Sequence, residues 1–123
     1  MSDTLAINET SRLISSDKVE GTAVYDRAGE KLGSIRNFMV GKHSGQVEYA
    51  VLEFGGFLGI GSDHYPIPWS KLDYEVDKGG YVVDIDKSQL EDAPRHPRER
   101  QPAYDEAYGR QISDYWGVGY TGL

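Results

Sequence analysis

Three histidines, His43, His64 and His96, are the side chains best suited to metal or proton chemistry, and they are scattered through the sequence. Zinc-type sites draw imidazoles from close, repeated spacings. With no such spacing here, neither a metal site nor a bound cofactor is expected. Carboxylates recur in pairs at Asp73 and Glu75 and at Asp84 and Asp86, a pattern that resembles paired groups for acid and base work. Apolar residues separate them, so they read instead as the wet face of strands, and His64 beside Asp63 reads as a surface pair. Glycines crowd the run Gly55-Gly56-Phe57-Leu58-Gly59-Ile60-Gly61, as they do where backbone amides approach a phosphate. No lysine follows Gly61, however, and Pro66 and Pro68 stand where a phosphate-binding helix would begin. The chain has no cysteine, which removes thiolate ligands, disulfides and a cysteine nucleophile. No nucleophile, base and orienting group can be assembled from what is left. The sequence therefore points away from an enzyme.

The 20 acidic and 13 basic residues give a formal charge of −7, which repels a phosphate backbone and disfavours nucleic acid as a partner. No stretch of about 18 apolar residues is present, and Met1 to Ser16 lacks the charged start and apolar run of a signal peptide. A soluble, cytoplasmic protein is expected. At 123 residues one core is affordable and two are not.

The elements that must position any site are short. Residues 1–12 are polar and aperiodic, as in a flexible arm. Ser15 and Ser16 can start one helical turn through Val19, ended by Gly21. Thr22 to Tyr25 reads as a strand, and Asp26 to Gly29 as its tight reversal. In the returning strand Ile35 and then Phe38 and Val40 fall on opposite parity, which one bulge near Asn37 reconciles. Gly41 to Gly45 has hairpin length. Its partner, Gln46 to Phe54, is apolar on both faces near its end, which implies cover on both sides. Tyr65 to Trp69 contains two prolines and belongs at an edge or corner. Leu72 to Val76 and Tyr81 to Ile85 alternate around Asp77-Lys78-Gly79-Gly80 as a second hairpin. Ser88 to Ala93 can add a short helix.

Residues 94–103, with three prolines and the arginines Arg95, Arg98 and Arg100, read as an extended linker. Beyond it Tyr104, Tyr108, Ile112, Tyr115 and Trp116 recur at helical spacing in an aromatic extension, residues 104–123, with Gly109 as a local cost. The whole reads as a mainly β domain over residues 13–93, a small and strongly bent antiparallel barrel with short helical turns. Closure would remove exposed strand edges.

The order Val24-Tyr25-Asp26, Gly29-Glu30-Lys31-Leu32-Gly33, Tyr49-Ala50-Val51-Leu52, Phe54 to Gly61 and Ile67-Pro68-Trp69 resembles the PRC-barrel family. That resemblance implies a bent barrel used for protein contacts and carries no catalytic residues. The expected role is a non-catalytic adaptor with an unidentified protein partner, forming a homodimer. Its candidate contact residues are Phe54, Phe57, Leu58, Ile60, Tyr104, Tyr108, Tyr115 and Trp116, since large aromatics favour interface anchors. A ribosome- or RNA-associated factor is the alternative, motivated by the family likeness and the arginines near residue 98.

Overall fold

A computed structural model describes residues 12–54 and 63–120, the side chain of Lys87 excepted. Most of the expected arm, the loop residues Phe57, Leu58 and Ile60, and residues 121–123 lie outside the described residues. Helix α1 (Ser16–Val19) is a single turn that buries Val19. Then come β1 (Ala23–Tyr25), β2 (Lys31–Val40), β3 (Val47–Phe54) and β4 (His64–Pro68). A 3-10 turn over Trp69–Lys71 leads to β5 (Leu72–Glu75) and β6 (Gly80–Val83). Two helices follow, α2 (Lys87–Glu91) and α3 (Glu106–Trp116).

The strands form one sheet in the order β4-β3-β2-β1-β6-β5. The mainly β fold with short helices matches the sequence reading, but two features differ from a closed antiparallel barrel. First, β1 and β6 pair parallel, because the Trp69–Lys71 turn bends the chain from β4 into β5 without reversing its sense along the ladder. Second, β4 and β5 end the hydrogen-bonded order among the described residues, so the sheet curls without closing through backbone bonds.

Register explains the core. Ile35 pairs with Leu52 and Phe38 with Ala50, while Leu52 and Ala50 pair with Tyr65 and Ile67. Cross-strand partners share a face, and of these residues all but the half-buried Phe38 are sealed from solvent. The parity change between Ile35 and Phe38 is accommodated by a register shift between Ile35 and Asn37, the bulge that the sequence requires. Gly33 sits where β2 crosses β3 so closely that a Cβ would lie 2.1 Å from the Glu53 carbonyl oxygen. Tyr49 and Val51 point to the opposite face with their partners Pro68 and Pro66. There Val51 is fully buried because α3 packs against β4, giving β3 the two-sided cover its sequence implies.

Helix α3 begins where the Asp105 carboxylate accepts a hydrogen bond from the Tyr108 amide at 3.0 Å. It ends at Gly117, whose φ of 70° is the left-handed stop. Its inward stripe is Gly109, Ile112, Ser113 and Trp116, the period of an amphipathic helix. Asp105→Ala removes the cap, and a loss of about 1 kcal/mol is expected. The measurement is the urea midpoint with the α3 amide resonances as probe, and an unchanged midpoint contradicts the capping role.

Candidate functional site

The described polar and aromatic side chains of interest gather where the C-terminal segment meets β3 and β4. The His64 amide donates to the His96 carbonyl at 2.9 Å, and the His96 amide donates back to His64 at 3.0 Å, a one-residue antiparallel bridge on the free side of β4. The two-residue period of a strand then turns the nitrogens of Pro66 and Pro68 to that same side. Prolines have no hydrogen to offer there. The open edge of β4 is thus partly capped by the His96 backbone and partly silent.

His96 is only 5% exposed. Its Nδ1 lies 3.0 Å from the Pro97 carbonyl oxygen and its Nε2 3.0 Å from the Tyr104 hydroxyl. A neutral ring that donates from Nδ1 and accepts at Nε2 satisfies both partners. The imidazoles of His64 and His96 meet edge to face with centroids 5.8 Å apart. Tyr104 packs edge-on against His96 and Tyr108 and tilts against Tyr49. Burial pushes the Tyr104 phenol far above its ordinary value, with Tyr108 and Tyr49 adding to the effect. Burial also raises Tyr49, Glu48 reinforcing it and Ser113 opposing it. These phenols stay protonated across the physiological range, and Tyr104 can donate to the His96 Nε2.

His64 moves the other way. Burial lowers it first; Glu53 opposes that shift, while His96, Arg36 and Arg98 add to it. Its Nε2 is buried with no hydrogen-bond partner among the described residues. Nearby, Arg36 and Glu53 lie 3.7 Å apart and Arg95 and Asp63 3.3 Å apart. Both pairs are partly exposed and contribute little to stability. Among the described residues no three histidine, aspartate or glutamate side chains surround one point.

The cluster corrects several sequence expectations. His64 and His96, scattered in sequence, are neighbours in space. Asp63 faces Arg95 rather than His64. Residues 94–103 are not a solvated linker throughout, because Pro94 and His96 are buried while Arg95 between them is exposed. That in-out-in order, with the bridge to His64, is the signature of a strand end.

Of the candidate contact residues, Phe54 is 2% exposed and packs on Tyr65 inside the barrel, so it is core rather than surface. Trp116 is 5% exposed and likewise belongs to the core. Tyr104 and Tyr108 are half-buried against it. Tyr115 is 38% exposed, and its hydroxyl donates to the Gln89 carbonyl of α2. The aromatic extension thus folds onto its own barrel, because its amphipathic stripe finds the outer face of β3 and β4 uncovered. Gly109 belongs to this docking: a Cβ there would lie 3.0 Å from the Tyr49 hydroxyl oxygen, which sequence propensity counts only as a cost.

Two open clefts flank Glu48 and Tyr49 at the hairpin end of the sheet. One, of about 310 Å³, is lined by Val47, Pro68, Trp69, Ser113 and Val118 among others. The other, of about 360 Å³, is lined by Met39, Val40, Lys42 and Tyr104 besides the shared pair. Neither was legible in the sequence, since their walls come from four separate segments. The wet-face carboxylates Asp73, Glu75, Asp84 and Asp86 are exposed, as expected.

The model of the PRC-barrel domain matches residues 12–90. The chain belongs to the PRC-barrel family. The match takes in α1, all six strands and most of α2, and leaves the His96 segment and α3 outside it. The chain is 26% identical over 94 residues to a protein of uncharacterised function from Deinococcus radiodurans. That alignment covers 76% of this chain and 31% of the relative, so the PRC-barrel chain spans about a third of that protein's length. In structure it is similar to RimM of Pseudomonas aeruginosa, a protein assigned to 16S ribosomal RNA processing, at 17% identity and a TM-score of 0.44. That likeness covers 64% of this chain and 48% of the other.

Proposed function

We propose that this PRC-barrel protein is a non-catalytic protein-contact module that receives its partner at the hairpin end of the sheet. The observation that carries the reading is the pair of open clefts meeting at Glu48 and Tyr49. Apolar side chains line part of each, Val47, Trp69 and Val118 in the first and Met39 and the exposed Val40 in the second, where Lys42 joins them. Glu48 lines both, on a chain of charge −7. The partner that fits is an extended protein segment with an apolar side chain for each cleft and a cation between them.

The absence of catalysis is part of the proposal. His96 spends both ring nitrogens on structural bonds, and the paired carboxylates Asp73, Glu75, Asp84 and Asp86 are exposed rather than gathered at a cleft. A ribosome-associated role would rest on Arg95, Arg98 and Arg100, of which Arg95 is already held by Asp63 and lies over the Tyr65 ring. Self-association, proposed from the aromatics, retains Tyr115 as its exposed member.

A photo-reactive residue at position 47, compared in cells with one at position 84, tests the reading. A discrete heterologous adduct from position 47 alone is expected. Equal labelling at both positions, or none, overturns the contact face, and an adduct of twice the chain mass assigns it to a second copy.

A further inference from the structure

The segment outside the family match meets β4 at the His64–His96 backbone bridge, where the two imidazoles also pack edge to face. We propose that the contact of His64 with His96, a backbone bridge with the two rings edge to face, is an acid-released latch holding residues 94–116 against the outer face of β3 and β4.

The geometry sets the logic. His96 in its neutral form accepts from the Tyr104 hydroxyl and donates to the Pro97 carbonyl. Both of these bonds lie inside residues 94–116, so they shape the segment, and its tie to β4 here is the backbone bridge and the ring contact. A charge on His64 would sit 5.8 Å, ring to ring, from His96. The groups facing His64 are Glu53 from β3, Arg36 from β2, and His96 and Arg98 from the latch segment itself. Glu53 is the acidic member and is shared with Arg36 at 3.7 Å. Asp63, the next carboxylate along, is held by Arg95. A proton on His64 therefore enters a partly buried site where Arg36 and Arg98 oppose it and Glu53 alone of these groups favours it.

The sign follows from linkage. Burial holds the docked His64 below the ordinary histidine value of 6.5, so His64 on β4 binds the proton more readily once the segment is released. Docking is then fully supported above about pH 6.5 and weakens as the pH falls through that value toward the docked-state one. The barrel strands, hydrogen-bonded to each other across the sheet, do not depend on the latch in this way.

Amide hydrogen exchange on the full chain, corrected for intrinsic rates, tests the latch between about pH 7.5 and about pH 5.5, the histidine window. The α3 amides are expected to lose protection on acidification while the β3 amides keep theirs, with an onset matching the His64 ring titration followed by NMR. His64→Phe, which keeps an aromatic ring against His96, is expected to remove that pH dependence. Loss of protection in α3 and β3 together, protection independent of pH, or an onset unrelated to the His64 titration would each overturn the latch. So would a His64→Phe protein whose α3 still releases in acid. Should that variant fail to fold, the wild-type ring titration decides alone.

Discussion

Gly33→Ala destabilises the barrel by about 3 kcal/mol, the upper part of the range for forcing atoms into a packed site. The added Cβ would lie 2.1 Å from the Glu53 carbonyl oxygen and 2.8 Å from the Phe54 Cα. Both are backbone atoms of the strand paired with β2, so no side-chain rotation relieves the contact and the strands must part. Local preference runs the other way, since alanine is no worse than glycine in a strand. The neighbour Ser34, which pairs with Glu53, is half-buried and serves as the control, with Ser34→Ala expected within about 0.5 kcal/mol of wild type. Urea denaturation of the two variants gives the comparison. Equal midpoints for both would refute the close approach.

The second large effect concerns the C-terminal extension. Trp116→Ala is expected to cost about 3 kcal/mol, roughly a 10 °C fall in Tm for a chain of this size. The indole is 5% exposed and sits in the same cluster as Ile112, Leu90 and Val83. Had Trp116 been a surface anchor waiting for a partner, its removal would leave the isolated chain's stability within about 0.5 kcal/mol. Calorimetry of the isolated protein therefore separates self-packing from partner docking, and an unchanged Tm refutes the former. The indole Nε1 is buried without a partner among the described residues, so the truncation breaks no hydrogen bond there and the loss reports packing.

What the sequence made legible is what alternation and turn chemistry control. The Gly41–Gly45 hairpin, the bulge before Asn37, the edge placement of Pro66 and Pro68, and the exposed carboxylates of β5 all follow from local pattern. What stayed hidden depends on contacts distant in the chain. Composition gave residues 94–103 the look of a linker, yet His96 finds β4. Phe54 has the same sequence character whether it points into a core or out of a loop, and only its pairing opposite Gly33 sends it inward. The parallel sense of β1 and β6 was hidden for a related reason: hairpin signals announce reversals, and the Trp69–Lys71 turn is a bend that does not reverse.

That parallel pair has a consequence for how the molecule is made. Val24 and Tyr81 are neighbours in the sheet, yet nearly the whole domain must be synthesised between them. Closing so long a segment costs conformational entropy before any contact rewards it. A nascent chain halted before β6 would carry β1 with one side unpaired, so completion of the sheet falls after translation of the domain rather than during it.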